Sequence, residues 1–107
     1  MKIFMIKEYT LTIGQNAKEN DELITNSNEN YIWFHLANLP SCHGILNCTI
    51  DKLTPTIIFQ CACKIKKNTK YKKNRDIKVN YLELKFIQKT NKLGEVSLLK
   101  KPLCVNT

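Results

Sequence analysis

Two histidines, His35 and His43, flank a break that contains Pro40. Two imidazoles that reach one phosphate can serve as general acid and general base. Ser41 stands close to His43 in sequence, and Cys42, Cys61 and Cys63 supply thiols that could join His43 around a metal ion. None of these sets matches a working pattern. No nucleophile motif and no acidic partner at fixed spacing accompanies the histidines. A Cys-x-Cys pair on a helix points its thiolates about 200° apart, and the spacing fits no structural zinc site. Nearness of Ser41 and His43 along the chain is not catalytic geometry. The expectation is a chain that is not an enzyme and takes no metal or cofactor. Each imidazole is then a hydrogen-bonded group at a strand end or part of a binding pocket.

The elements that must position these groups follow from periodicity. Tyr31, Trp33 and His35 alternate with Ile32, Phe34 and Leu36, which predicts a strand. Ala37 to Pro40 interrupts it, and alternation resumes from Ser41 to Thr49. Two strands paired around that turn bring His35 and His43 together at one end of a sheet. Upstream, Tyr9 to Ile13 is a strand stopped by Gly14. Asn16 then reads as a helix N-cap with Glu19 as its capping-box partner. That helix runs to about Thr25 on a thin apolar face of Ala17, Leu23 and Ile24, and Asn16 and Asn20 share one side. Gly14-Gln-Asn16 lacks the ending of a Walker phosphate loop. A helix N-terminus can still donate to an anion, although capping by Asn16 is the simpler role.

Thr54-Pro55 predicts a second helix, with Ile58, Cys61, Ala62 and Ile65 as its buried face and lysines at its C-terminal end. From Asp76 the period returns to two. Ile77, Val79 and Tyr81 lie on one face and Leu82, Leu84 and Phe86 one residue out of phase, which predicts a bulge or break near Tyr81. Asn91 to Gly94 is a turn, followed by strands at Val96–Leu98 and Leu103–Val105. The order β-α-β-β-α-β-β defines an α+β domain. It has a mixed or antiparallel sheet of about five strands and two helices on one face.

Charge narrows the partners. The 107 residues carry a formal net charge of +8. Up to Pro55 there are four basic and six acidic residues; beyond it there are thirteen and three. The excess gathers in Lys64, Lys66, Lys67, Lys70, Lys72, Lys73, Arg75 and Lys78, interrupted only by Asp76. Tyr71 lies inside the run, where an aromatic ring could stack on a base or sugar. Such a run can be a solvated loop. Phosphates would also relieve its self-repulsion. Lysine suits phosphate better than base edges, so the contact would be salt-sensitive and little dependent on sequence. No run is long enough to span a bilayer, and the short apolar start is not a signal peptide. Five cysteines without a disulfide framework fit free thiols in a reducing, cytoplasmic setting.

Taken together, four motifs resemble one family. Ile13-Gly-Gln-Asn-Ala-Lys-Glu-Asn-Asp-Glu-Leu23 resembles the G-(K/R)-N-A-x-x-N-(D/E)-x-L opening of the NFACT-R domain. Tyr31-Ile-Trp-Phe-His-Leu-Ala-Asn-Leu-Pro-Ser-Cys-His43 resembles its D-(I/L)-W-F-H…(S/G)-x-H centre. Asn68-Thr-Lys-Tyr-Lys72 resembles its x-S-K-x-(K/R) segment, and Phe86-Ile-Gln-Lys89 with Gly94-Glu-Val96 its closing V-x-K…G-x-V. Gln15 stands where the family has a cation, and Gly44 where it has a larger apolar residue. The resemblance implies an α+β RNA-binding module of the kind found in NEMF and RqcH ribosome quality-control factors, which engage tRNA on the large ribosomal subunit. It implies RNA contact through Asn16, Asn20, His35, His43 and the Asn68–Lys72 segment. The chain resembles a stand-alone version, without the glycosylase-like domain and coiled coil of those factors, so peptide tailing is not implied.

The sequence therefore points to one RNA-binding domain over residues 1–107, contacting tRNA or rRNA. Lys66, Lys67, Lys70, Lys72, Lys73 and Arg75 would hold phosphates, with Asn68 and Tyr71 beside them. Asn16, Asn20, His35 and His43 would shape a polar pocket. Two alternatives remain open at this point: a two-histidine nuclease or phosphodiesterase, and a duplex DNA-binding module. Oligomeric state is also open.

Overall fold

A strand that the sequence hides starts the fold. The computed structural model describes all residues from Met1 to Thr107. Strand β1 (Lys2–Ile6) turns at Lys7, whose φ is 58°, and pairs antiparallel with β2 (Tyr9–Ile13). Phe4 and Ile6 of β1 face the core, yet Ile3 and Met5 on its other side are 66% and 65% exposed. With apolar residues on both sides, the alternation that announces a half-buried strand is missing.

Helix α1 (Ala17–Asn26) begins as its cap predicts: the Asn16 side chain accepts from the Glu19 backbone N–H at 2.9 Å. Glu19 completes the box one residue early, accepting from the Gln15 N–H at 3.0 Å rather than from Asn16. Leu23 and Ile24 are buried, whereas Ala17 is exposed. Strands β3 (Ile32–Leu36) and β4 (Gly44–Leu46) pair antiparallel, with Trp33 opposite Ile45 and Phe34 opposite Gly44. The second strand is shorter than its alternation suggested, because the connection continues to His43.

Helix α2 (Pro55–Lys67) starts at Thr54, whose hydroxyl accepts from the Ile57 N–H at 3.2 Å. Its buried residues are Ile57, Cys61, Ala62 and Ile65, so the face is rotated slightly from expectation and Ile58 is only half-buried. Replacing Thr54 by Ala removes this cap and is expected to cost about 1 kcal/mol of stability. The measurement is the urea midpoint at unchanged slope.

Strand β5 (Lys78–Glu83) is continuous. It pairs with β3 without interruption from Leu36–Val79 to Ile32–Glu83, so no bulge occurs at Tyr81. The break comes later, at a short 3-10 turn over Leu84–Phe86. Strands β6 (Ile87–Lys89) and β7 (Val96–Leu98) form a separate two-stranded sheet around the Asn91–Gly94 turn. Strand β8 (Leu103–Asn106) returns to β5. The main sheet has six antiparallel strands in the order β1-β2-β4-β3-β5-β8.

The α+β class holds, with more strands than expected and one correction of layering. The helices pack on opposite faces. Ile32, Phe34 and Leu36 join the α2 residues Ile57, Cys61, Ala62 and Ile65. Trp33 joins Leu23 and Ile24 of α1, with Ile45, Leu82, Leu84 and Ile87. The phase shift after Tyr81 has the same cause: Val79 and Leu82 serve cores on opposite sides of one straight strand. A strand apolar on both faces demands a cover for each. No helix is long and apolar enough to cross a membrane.

Candidate functional site

The β3–β4 hairpin brings the histidines together, with ring centroids 4.8 Å apart and nearly perpendicular planes. Each imidazole is held by a different neighbour. Trp33 donates its indole N–H to His43 Nδ1 at 3.1 Å. An accepting Nδ1 places the proton of neutral His43 on Nε2. The His35 ring lies flat on Trp33 at 5.5 Å and places Nδ1 2.6 Å from the Leu36 carbonyl. Only a protonated nitrogen can donate there, so the His35 Nε2 is a free acceptor.

Burial sets the charge of the pair. It pushes the His43 pKa down to about 4, with help from His35 and weak opposition from the Gly94 backbone. Burial also lowers His35, against the pull of the Leu36 carbonyl. Both shifts favour the uncharged rings at neutral pH. They offer hydrogen bonds, with less imidazolium than free histidines would carry.

Asn20 supports this arrangement from α1. It is 8% exposed, and its Oδ1 accepts from the His43 backbone N–H at 3.3 Å. Gly14 makes room for it: a Cβ there would lie 2.9 Å from the Asn20 backbone nitrogen and would strike the carboxamide oxygen. Gly14→Ala is expected to destabilise the fold by about 1–3 kcal/mol, the usual cost of overpacking. Thermal denaturation measures the loss, and displaced His43 ring resonances place it at this site.

Two openings flank Asn20. A groove of about 600 Å³ lies between the β3–β4 connection and the tip of the β6–β7 hairpin; His35, His43, Asn20 and Asn80 line it. Its far wall is fixed by Gly94, whose φ is +77° and whose Cβ position lies 2.9 Å from Ala17 Cα. Only glycine is comfortable there. A second cleft of about 520 Å³ lies between the start of α1 and the end of α2, lined by Asn16, Asn20, Lys2, Lys67, Asn68 and Lys72 among others. Asn20 and Ser41 border both.

The predicted residues thus divide. Asn16, Asn20, Lys67, Asn68 and Lys72 share the second cleft, and His35, His43 and Asn20 the groove. Lys66, Lys70, Lys73 and Arg75 line neither. Tyr71 is half-buried against the α2 core, with Lys70 Nζ 5.5 Å from its ring centre. Sequence reading missed Lys2, whose Nζ donates to Asn68 Oδ1 at 3.0 Å, and Asn80, which pairs with His35 across the sheet. Recognising β1 would have found the first, since it sets Lys2 opposite Ile13.

The side candidates resolve differently. The Ser41 hydroxyl is used locally, accepting from the Leu36 N–H at 3.2 Å and facing the Cys42 carbonyl at 2.7 Å. All five cysteines are free, and burial pushes the Cys61 thiol up to about 12. The four ion pairs of the molecule involve the N-terminus, Lys85, Lys89 and Lys92. Lys66, Lys67, Lys70, Lys72, Lys73 and Arg75 have no carboxylate within ion-pair distance.

This combination defines an α+β module with an unneutralised lysine surface beside a polar groove. Among solved structures, the C-terminal part of the fibronectin/fibrinogen-binding protein from Streptococcus suis has the same fold, with a TM-score of 0.88 and 18% sequence identity. The match covers 97% of this chain and 43% of that one, so the chain spans under half of that relative's length. No curated protein sequence matches. The family model of the NFACT protein RNA binding domain matches residues 2–100. The chain belongs to this family.

Proposed function

We propose that this RNA-binding module grips structured RNA, such as tRNA or rRNA, by its phosphates along the end of α2. The observation that carries the reading is a cleft at the end of α2 whose only charges are positive. Lys67 and Lys72 share their cleft with Lys2, and no acidic residue lines it. Phosphates would supply the missing counter-charge. Contact through lysine ammonium groups fixes position on the backbone and carries little base information.

Membership of an RNA-binding family favours a binding role over hydrolysis. A link to ribosome quality control in the cytoplasm is the cellular setting that fits this reading.

Affinity for tRNA measured across a salt series tests it. Six phosphate contacts predict a loss of about a thousandfold between roughly 50 and 200 mM salt. An affinity that does not respond to salt contradicts the proposal. Competition by DNA duplex of equal length separates RNA from DNA as the preferred polyanion.

A further inference from the structure

The two openings differ sharply in charge. Apart from the imidazoles, the groove has only Lys92 and Glu95 as ionisable lining groups, and these pair with each other at 3.8 Å. The neighbouring cleft has three lysines and no carboxylate. A neutral space and a cationic one therefore meet at Asn20 and Ser41. A nucleotide has the same division: a flat uncharged base joined through its sugar to an anionic phosphate.

The groove is also furnished for a base. Its volume lies within the range of about 300–1,000 Å³ typical of small-molecule pockets. Leu39, Leu93, Val96 and Leu98 contribute apolar surface. Hydrogen bonding is available from both sides. His35 Nδ1 is occupied by the Leu36 carbonyl, leaving Nε2 as an acceptor. The Asn20 oxygen is taken by the His43 N–H, which leaves its amide nitrogen as a donor with no partner in the chain. Asn80 adds a second carboxamide. Bases buried in a duplex cannot enter such a space, because their faces are stacked and their pairing edges occupied.

We infer that the groove receives one unpaired RNA base while the lysine cleft holds the phosphate beside it. This rests on the RNA-binding reading above and specifies the substrate: RNA with exposed nucleotides at a loop, bulge or end. His35 and Asn20 touch the base edge, and Lys67 and Lys72 touch the backbone.

The test uses the full chain and two probes: a blunt RNA duplex, and the same duplex interrupted by three unpaired nucleotides. The interrupted duplex should bind about tenfold tighter, the gain of one accommodated base. Two variants read the groove. Leu93 is 57% exposed at its mouth, so Leu93→Glu blocks entry without disturbing the core. His35→Phe keeps the ring and removes the acceptor. Both should erase the preference, read as the ratio of the two affinities within each variant, because the carboxylate of Leu93→Glu weakens both probes alike. Equal binding of the two probes by the wild-type chain overturns the inference but leaves the phosphate grip standing. So does a preference that survives both variants. Failure of both probes to bind at low salt overturns the grip and the inference together.

Discussion

Acidification from pH 7.5 to pH 4 should remove about 3 kcal/mol of folding stability through His43. Its pKa falls from 6.5 to about 4 on folding. Each unit is worth about 1.4 kcal/mol. Below pH 6.5 the unfolded chain takes up a proton that the folded protein refuses, so the unfolded state gains. The contribution is complete above pH 6.5 and declines as pH falls toward 4. His35, also lowered by burial, acts with the same sign. The carboxylates Glu19 and Asp51 are held below their usual values of 4.5 and 3.8, so Glu19 begins to lose its contribution only at the bottom of this range and Asp51 below it. Urea midpoints across this range should show the loss. A His43→Gln variant, with no proton to refuse, should start less stable at pH 7.5 and show a shallower decline. An identical slope in both proteins would mean that the acid sensitivity lies elsewhere.

The largest effect on binding is expected from Lys67→Glu combined with Lys72→Glu. Both side chains are exposed, so stability should change by no more than about 0.5 kcal/mol per site. Two phosphate contacts are lost and two repulsive charges introduced within one cleft. Affinity for tRNA should drop roughly a hundredfold at about 100 mM salt, and the logarithmic salt slope should become shallower by about 2. The matched control is Lys100→Glu with Lys101→Glu, which makes the same change in net charge at residues that line neither opening. An equal loss in both double variants would assign the attraction to total charge and remove the cleft from the account.

Where one face of an element meets solvent, its pattern was readable. The caps Asn16 and Thr54 accept from the third residue onward, as their positions required. Strand β3 is buried on both faces, yet its aromatic and β-branched run still marked it as a strand, which placed Trp33 and His35 on one side and brought the imidazoles together. Legibility failed where both faces of a strand have the same character. Strand β1 exposes Ile3 and Met5, and β5 buries Val79 and Leu82 on opposite sides. Period two disappears in the first case and looks like a slip in the second. The opposed helices followed from the same property. The site was legible as residue types and illegible as partition. Nothing in the chain order says that Lys2 would join Lys67 and Lys72, because that meeting depends on the unrecognised first strand. The downward shift of the imidazoles was also out of reach, since it comes from burial.

Strands β6 and β7 hydrogen-bond to each other and to no strand of the main sheet. Their tip nonetheless forms one wall of the groove, pressed on Ala17 through Gly94. That wall is anchored chiefly by the Ile87 and Val96 side chains and by Lys89, which reaches Asp21 at 3.5 Å and Thr25 at 2.7 Å. Detaching it breaks few contacts compared with unravelling the six-stranded sheet, so it opens at lower free energy. The aperture is thus expected to widen before the frame yields, like a hinged jaw on a fixed anvil.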